Sequence, residues 1–238
     1  MSSAYAVTAG YYDAVASLQR SALDAQLLAA LAGLEAKDLP VLDIGAGTGL
    51  STALIAKALP GVEILAVEPE PAMRAALMAR VCSAPDLRSR VTILPMPLHA
   101  APLPPVLSAA IGSACLVHFD PQERRELWEL LRGHLVPGGR ALFEIQCPVA
   151  QDLPDACLGT VEVGRVRYEA WVATRRLDEQ RVRFRLRYLS RLDGALIAEE
   201  AAEHVCWAAS ADAIVAEAAR AGLVGDARGD LVVLSRAR

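Results

Sequence analysis

Residues 39–49 read Leu-Pro-Val-Leu-Asp-Ile-Gly-Ala-Gly-Thr-Gly, and this stretch decides the fold. Its apolar part, Leu39 to Ile44, predicts a buried parallel strand, and residues 51–58 predict a helix that begins just after the glycines. Glycines at alternate positions allow the backbone to approach a ligand closely, and the first amides of the helix have no partners within it. A strand, a glycine turn and a helix in this order predict a nucleotide-type binding site.

Strands and helices alternate as far as Cys147. The spacing of apolar residues predicts helices over 18–34, 51–58, 71–82 and 120–135, and strands over 39–44, 62–67, 91–94, 106–117 and 140–145. Pro137-Gly138-Gly139 is predicted to form a turn before the fifth strand. This alternation predicts an α/β fold, with a doubly wound, mainly parallel seven-stranded sheet of Rossmann-like type.

The pattern changes after Cys147. Residues 181–188 alternate arginine with apolar side chains, which is the period of a half-buried strand. With turns at 177–180 and at Asp193-Gly194, antiparallel strands are predicted over 165–175, 181–189 and 195–207. A helix over 210–221 and a last strand over 231–234 follow. We therefore expect an antiparallel β insertion after strand five.

The arginine stripe of this insertion has two explanations. Arg181, Arg183, Arg185 and Arg187 could form an anion-binding surface. Cross-strand ion pairs are favoured instead, because the next strand carries Glu199, Glu200 and Glu203.

Composition places the chain in a broad class. The 238 residues suit one domain, and a net charge of −4 disfavours nucleic acid as a partner. Five cysteines, none in a CxxC pair, favour reduced thiols over a disulfide framework or a zinc site. The amino-terminal residues lack a signal-peptide pattern, and no apolar run approaches the ~20 residues that span a bilayer. We therefore expect a cytoplasmic protein with no membrane partner.

The spacing of the glycines narrows the ligand. A dinucleotide site would have G-x-G-x-x-G, but Leu50 lies where the third glycine belongs. No Lys-Ser/Thr pair follows the glycines, which excludes a P-loop. Asp43, two residues before Gly45, would lie unfavourably beside a pyrophosphate. Its carboxylate suits a ligand with a cationic end, such as an ammonium or a sulfonium.

Residues 43–49 resemble the first motif of class I S-adenosylmethionine-dependent methyltransferases, and the small-molecule subgroup is the most similar. Three further segments match in the same order: Glu68 after strand two, residues 116–119 after strand four, and residues 135–140 before strand five. The resemblance spans about residues 11–147. It implies S-adenosyl-L-methionine as the cofactor and S-adenosyl-L-homocysteine as its product.

The resemblance also implies site residues. Glu68 resembles the acid that binds both ribose hydroxyls, Met73 the residue beside the adenine, and Tyr12 part of an amino-terminal lid. The expected cofactor-binding residues are Tyr12, Asp43, Gly45, Ala46, Gly47, Gly49, Glu68, Pro69, Met73, Leu98, Ser113 and Cys115. For Cys115, a backbone contact with the cofactor, a role of the thiol and simple burial remain open.

One loop departs from the family pattern. The family often has an Asp after strand three that accepts a hydrogen bond from the adenine amino group, and here Pro97 stands at about that place. We expect backbone groups near Leu98 and apolar packing against Met73 to hold the adenine instead. Loss of a charged acceptor weakens binding by roughly 1.5–3 kcal/mol where nothing replaces it.

The acceptor site is expected above strands four and five. His118 is the catalytic candidate, as an acid or base that exchanges a proton with the acceptor; the alternative is a structural histidine. The expected acceptor-binding residues are Tyr11, His118, Glu144, Gln146, Arg167 and Trp171. Packing alone is the alternative for Tyr11 and Trp171. The remaining histidines, His99, His134 and His204, are expected at the surface or at a sheet edge.

The predicted organisation is one methyltransferase domain, 1–238, with residues 1–34 as an amino-terminal lid and helix and residues 158–207 as the insertion over the acceptor site. The predicted reaction is methyl transfer to an O, N or C nucleophile of a small molecule, of secondary-metabolite type, without a metal. Two alternatives remain: use of the bound cofactor without its reaction, in a cyclisation or rearrangement, and a non-catalytic binding protein. Exposed strands of the insertion favour a homodimer.

Overall fold

The computed structural model describes residues 4–16, 20–34 and 38–237. Three helices and the first strand precede the glycine turn: α1 (Ala4–Ala9), α2 (Tyr12–Ala16), α3 (Arg20–Ala32) and β1 (Val41–Ile44). The predicted start of the first long helix, Leu18, lies outside the described residues, as do residues 1–3 of the predicted lid. The predicted strand and helix on either side of the glycines are both confirmed.

The remaining elements fall into two groups. The first continues the α/β alternation: α4 (Leu50–Ala58), β2 (Ile64–Val67), α5 (Pro71–Ser83), α6 (Pro85–Arg90), β3 (Val91–Leu94), β4 (Leu107–Gly112), α7 (Pro121–His134) and β5 (Leu135–Glu144). The second is mostly antiparallel: β6 (Leu153–Val163), β7 (Val166–Arg176), β8 (Arg181–Leu192), β9 (Ala195–Trp207), α8 (Ala211–Arg220), β10 (Leu223–Arg228) and β11 (Leu231–Arg236). No helix in the described ranges is long and apolar enough to cross a membrane.

Seven strands form one sheet in the order β10-β11-β5-β4-β1-β2-β3. Neighbours from β5 to β3 run parallel, while β11 runs antiparallel to β5 and to β10. This confirms the predicted seven-stranded, mainly parallel sheet. The strand order reverses at β1, which lies between β4 and β2, so the loops that leave β1 and β4 part from each other. A crevice at the carboxyl ends of these strands follows from that topology.

Helices cover both faces of this sheet. All residues of β1, β2 and β4 are buried, as expected for central parallel strands. On one face, the rings of Trp128 and Phe143 meet edge to face with centroids 5.2 Å apart. On the other face, Leu31 of α3 and Leu77 of α5 are completely buried. The central strands are therefore fixed from both sides, and their carboxyl ends hold the loops in place.

The insertion forms a second, four-stranded sheet in the order β6-β7-β8-β9. Both predicted turns occur, because β8 pairs antiparallel with β7 and with β9. The predicted cross-strand ion pairs are confirmed for Arg187 with Glu199, at 3.1 Å, and for Arg183 with Glu203, at 3.9 Å. For Glu200 the prediction was wrong: in a strand of period two it lies on the opposite face from Glu199, where it accepts a hydrogen bond from Tyr11.

Three local expectations were wrong. The insertion begins at Leu153 rather than at 158, because β6 is a strand in spite of Pro154 and Gly159, which interrupt its pattern. The edge strand β10 was missed, since all but its first residue are exposed and carry no apolar signal. The segment Pro137-Gly138-Gly139 lies within β5 rather than before it. There the register against β4 shifts, and the φ angle of Gly138 is +79°.

A buried ion pair joins the two helices that cover one face of the sheet. Arg124 of α7 donates from Nε and Nη2 to the carboxylate of Glu217 of α8, both at 2.9 Å. A third bond runs from Nη1 to the carbonyl of Phe119 at 3.0 Å. Only 3% of the Arg124 side chain is exposed, so removal of its partner, or of Arg124 itself, leaves a charge with little access to water.

The substitution Arg124→Ala should lower the free energy of unfolding by about 3–5 kcal/mol, because it leaves the Glu217 carboxylate without its partner. Urea unfolding followed by circular dichroism measures this change. The matched control is Arg125→Ala, one residue further along α7 on the exposed side, which should change stability by less than about 0.5 kcal/mol. Equal effects of the two substitutions would contradict the role of the ion pair.

Candidate active site

A cavity of about 580 Å³ opens at the carboxyl ends of β1, β2 and β4. Its volume lies in the range of ~300–1,000 Å³ typical of small-molecule sites. It lies beside the point where the strand order reverses, as the topology requires. The predicted residues that line it are Tyr12, Gly45, Gly47, Glu68, Pro69, Met73, Leu98, Ser113, Cys115 and His118.

The glycine turn approaches the loop after β4 closely. Gly45 and Gly47 have φ angles of +62° and +58°, where side chains other than glycine are strained. A Cβ atom on Gly45 would lie 2.8 Å from the Cβ atom of Cys115. Cys115 is buried against this turn, and burial raises the pKa of its thiol, so the thiol stays protonated at neutral pH. Cys115 thus packs against the turn and also lines the cavity, and its contact with a cofactor stays a prediction.

Glu68 lies in the cavity wall at the end of β2. Its Oε2 atom accepts a hydrogen bond from the amide of Gly47 at 2.8 Å, and its Oε1 atom accepts one from the amide of Glu70 at 2.8 Å. Burial raises the pKa of Glu68, and the two amide donors act in the opposite direction by stabilising the carboxylate. Each carboxylate oxygen has a second lone pair, so the oriented group retains capacity for two hydroxyl donors of a ligand.

Three of the predicted cofactor-binding residues do not line this cavity: Asp43, Ala46 and Gly49. Asp43 is completely buried, and its carboxylate accepts hydrogen bonds from Ser51 at 3.0 Å and from Thr52 at 2.6 Å. Burial raises the pKa of Asp43 to about 6, against the stabilising effect of these hydroxyls. Asp43 therefore ties the end of β1 to the first turn of α4, and its contact with a cationic ligand stays a prediction.

Helix α2 lies over the glycine turn. Tyr12 lines the cavity, and the neighbouring Asp13 accepts hydrogen bonds from the hydroxyl of Thr48 and from the guanidinium of Arg80. Arg80 also donates to the carbonyl of Thr48 at 2.9 Å. The amino-terminal helices are thus joined to the turn itself.

Tyr11 points away from the cavity, toward the insertion. Its ring stacks on Tyr188 of β8 with centroids 4.5 Å apart and an angle of 2° between the rings, and its hydroxyl donates to Glu200 of β9. The acceptor-binding role predicted for Tyr11 was therefore wrong in its placement, because the residue is 8% exposed and packed as a joint between α2 and the insertion.

The part of the cavity in which the sequence predicts the adenine is apolar on one side. Met73, Pro97 and Leu98 line the cavity together, and His99 joins them rather than pointing away from the site. Leu98 begins a short 3-10 turn over 98–100. The first amides of such a turn have no partner within it, so they fit the backbone contacts predicted in place of the missing Asp.

Every charged side chain that lines the cavity, among the residues that the structure describes, is a carboxylate. These are Glu68, Glu70, Glu123 and Glu126. Glu123 and Glu126 come from the first turns of α7 and are exposed. They were not predicted, because their spacing is also that of an ordinary solvated helix face. The cavity therefore favours a cation over an anion.

His118 lies in a 3-10 turn after β4 and presents its ring to the cavity. Its Nε2 atom is hydrogen-bonded to the hydroxyl of Tyr5. Protein atoms packed around the ring partly desolvate His118 and lower its pKa, to about 4, with a further contribution from His204, although the residue is exposed to the open cavity. His118 is neutral at pH 7, so it accepts a hydrogen bond readily, but it holds a transferred proton poorly.

The other residues expected at the acceptor site lie elsewhere. Glu144 and Gln146 line a separate cavity of about 10 Å³, and Glu144 accepts a hydrogen bond from Ser113 at 3.1 Å. Arg167 and Trp171 lie on the face of β7 that is turned away from α2, since their neighbours Tyr168 and Ala170 pack with Tyr11 on the opposite face. The placement predicted for these four residues in the main cavity was wrong.

Two further residues were missed: Tyr5, which lines the cavity, and His204, which packs against Tyr5. Tyr5 belongs to the short α1, whose sequence has no motif. His204 lies on the edge strand β9, in agreement with the prediction of a surface or sheet-edge position, but its ring lies 4.5 Å from that of Tyr5, which was not predicted. A signal was present in β9, because His204 shares its face with the buried Ala202 and Cys206 and alternates with exposed Glu203 and Val205.

Comparison with known proteins agrees with this geometry. The family model described as a methyltransferase domain matches residues 41–139, which run from β1 into β5. No curated protein sequence matches the chain significantly.

Solved structures with the same fold cover nearly the whole chain. A sugar N-methyltransferase from Streptoalloteichus has 19% identity and a TM-score of 0.70, over 92% of this chain and 88% of its own. An amino pentose methyltransferase from Micromonospora echinaspora, solved with S-adenosylmethionine, has 19% identity and a TM-score of 0.76, over 94% of this chain and 96% of its own. DesVI from Streptomyces venezuelae has 18% identity and a TM-score of 0.78, over 96% of this chain and 98% of its own. At these identities the likeness shows the fold.

The titration of His118 should have its midpoint below 6.5, toward pH 4, because the protein atoms around the ring disfavour the imidazolium although the residue is exposed to the cavity. Between these two values the unfolded chain binds a proton that the native chain does not, so this histidine lowers stability as the pH falls from 6.5 toward 4. Nuclear magnetic resonance of labelled histidines measures the midpoint, with His118→Asn to assign the signal. A midpoint near 6.5 would contradict the desolvation of the ring by the cavity wall.

Proposed function

We propose that this chain, as a class I S-adenosylmethionine-dependent methyltransferase, transfers the methyl group of S-adenosylmethionine to an amine nitrogen. The acceptor is a small molecule of amino-sugar type. S-Adenosylhomocysteine is the product. The choice of an amine as the acceptor rests on the charge of the cavity. In the part of the chain that the structure describes, every charged side chain that lines it is a carboxylate. The known proteins with the same fold support the choice, since two of them act on sugars and one of these on a nitrogen.

The residues of the cavity fit the cofactor. Glu68 holds two oriented carboxylate oxygens for the ribose hydroxyls, and the turn at Gly45 and Gly47 leaves room for a ligand beside the backbone. Met73 and Leu98 supply apolar surface for an adenine ring. Carboxylates nearby suit the positive charge that S-adenosylmethionine carries on its sulfonium.

The chain contributes position rather than reactive groups. S-Adenosylmethionine supplies a methyl group that is already activated by its sulfonium. Tyr12, held over the glycine turn through Asp13, excludes water from the reacting end of the cavity. His118, neutral at pH 7, offers a hydrogen-bonding partner to the acceptor. Placement of a nucleophile in line with a bound reactant accounts for several kcal/mol of a barrier, and here no further chemical group is required.

The contacts of the amino-terminal helices with the glycine turn and with the insertion suggest which part of the domain covers each ligand. We propose that residues 1–34 form a lid and helix over the cofactor and that the antiparallel sheet lies over the acceptor. The joints are Asp13 to Thr48 on the cofactor side and Tyr11 to Tyr188 on the insertion side.

The reaction is tested with S-adenosylmethionine labelled with ¹³C in its methyl group and a panel of amino sugars with their hydroxyl analogues, glucosamine and glucose being the first matched pair. We expect S-adenosylhomocysteine to accumulate with an amine and the labelled methyl to appear on nitrogen. Label on oxygen or carbon, or no transfer to any amine, would overturn the proposal. Conversion of an acceptor without S-adenosylhomocysteine would indicate the non-reactive use of the cofactor, and tight binding with no reaction would indicate a binding protein.

The substitution Glu68→Gln should weaken S-adenosylmethionine binding by about 10- to 100-fold, because two charge-assisted hydrogen bonds to the ribose become neutral ones. Isothermal titration calorimetry gives the dissociation constant. Glu70→Gln is the matched control: it removes the same charge from the cavity lining but not the carboxylate that accepts from Gly47. Equal weakening by both substitutions would show that only the total charge matters and would contradict the role of Glu68.

A further inference from the structure

Tyr5 and His204 form a polar cluster with His118 that the proposed function does not yet use. Tyr5 lines the cavity, and its hydroxyl is hydrogen-bonded to Nε2 of His118. The ring centroid of His204 lies 4.5 Å from that of Tyr5 and 6.4 Å from that of His118. Thr8, one turn further along α1, places its Oγ1 atom 3.4 Å from Nε2 of His204.

The direction of the bond between Tyr5 and His118 follows from their chemistry. A phenol is a stronger donor than a neutral imidazole N–H, and an imidazole nitrogen is a stronger acceptor than a phenol oxygen. Both groups are neutral at pH 7, since partial desolvation raises the pKa of Tyr5 and lowers the pKa of His118 to about 4. Tyr5 therefore donates its one proton to His118, so toward a ligand its oxygen can act only as a hydrogen-bond acceptor.

We propose that the Tyr5 hydroxyl binds the acceptor by taking a hydrogen bond from its nucleophilic N–H, and that His204 is a positioning residue that holds Tyr5 in place. This inference rests on the proposed methyl transfer to an amine. A nitrogen held through one N–H has its lone pair in a fixed direction, and a fixed direction is what an in-line transfer requires.

The arrangement assigns the insertion a part in the acceptor site. His204 belongs to β9, whereas Tyr5 belongs to α1, so the ring contact joins the amino-terminal helices to the antiparallel sheet at the cavity. Thr8 holds the far side of the imidazole. His204 does not line the cavity, and it therefore acts through Tyr5 rather than on the acceptor.

The same arrangement gives selectivity. An oxygen whose proton is committed to His118 can accept a hydrogen bond but cannot donate one to the acceptor. Groups that only accept, such as a carboxylate or a carbonyl, would face lone pairs at Tyr5 and carboxylates elsewhere in the lining. The site thus selects a nucleophile that carries a hydrogen atom and rejects anions.

The first experiment needs no acceptor, and His118→Asn serves only to assign the signal. In protein labelled with ¹⁵N-histidine, Nε2 of His118 should show the shift of an unprotonated ring nitrogen that accepts a hydrogen bond at pH 7. A protonated Nε2 would show that Tyr5 does not donate, and it would overturn the inference whatever the reaction is.

The second experiment is Tyr5→Phe, with the amine of the panel that the unaltered chain methylates fastest. We expect KM for the amine to rise by about 2- to 10-fold and kcat to fall by about 10-fold, while the dissociation constant of S-adenosylhomocysteine is unchanged. Tyr168→Phe is the matched control, because it removes the same hydroxyl from a ring outside the cavity. Unchanged KM and kcat in Tyr5→Phe would overturn the inference.

The third experiment separates positioning from stability at His204. His204→Ala should change KM and kcat as Tyr5→Phe does, at an unchanged thermal midpoint, and His204→Phe, which retains a ring against Tyr5, should restore them. Failure of His204→Phe to restore them, or loss only through unfolding, would contradict the positioning role. If the unaltered chain methylates no amine, it is the proposed function that fails, whereas unaltered amine methylation in Tyr5→Phe removes only the role of Tyr5.

Discussion

The buried carboxylate of Asp43 is the interaction on which the site depends. A charged group inside the sheet is costly, and the rise of its pKa to about 6 reflects that cost. Two hydroxyl donors offset it: Ser51, whose one proton is shared between the two carboxylate oxygens, and Thr52. Because both hydroxyls belong to the first turn of α4, the bonds fix the start of this helix against the end of β1. The glycines between them must then turn sharply, and their backbone faces the cavity.

The amino-terminal helices depend on the same turn. Thr48, which lies between the glycines, donates to Asp13, and Arg80 of α5 binds both Asp13 and the carbonyl of Thr48. From there α1 and α2 reach the insertion through Tyr11 and Tyr188 on one side and through Tyr5 and His204 on the other. The site therefore has three layers that are held together by side chains. A substitution in the turn would therefore alter the geometry of the acceptor half of the site as well as that of the cofactor half.

The sequence was most informative where one residue type is physically required. Positive φ angles at Gly45 and Gly47 demand glycine, and the alternation in β8 demands a half-buried strand, so both were predicted. It was least informative where a position tolerates many residues. The strand β6 contains Pro154 and Gly159, and β10 is an exposed edge, so their pairing comes from neighbouring strands and not from their own pattern. Tyr5 and His204 are far apart in the chain, and only the folded sheet brings them together.

The charge distribution explains why so weak a base as His118 is sufficient. Transfer of a methyl group from a sulfonium to a neutral amine moves one positive charge from sulfur to nitrogen and creates none. The carboxylates of the lining, such as Glu123 and Glu126, favour a cation in the cavity before and after the step. A strong base beside the acceptor would itself become a competing cation near the same carboxylates. A neutral pair, Tyr5 and His118, orients the nucleophile without adding that charge, so the low pKa of His118 suits the proposed reaction.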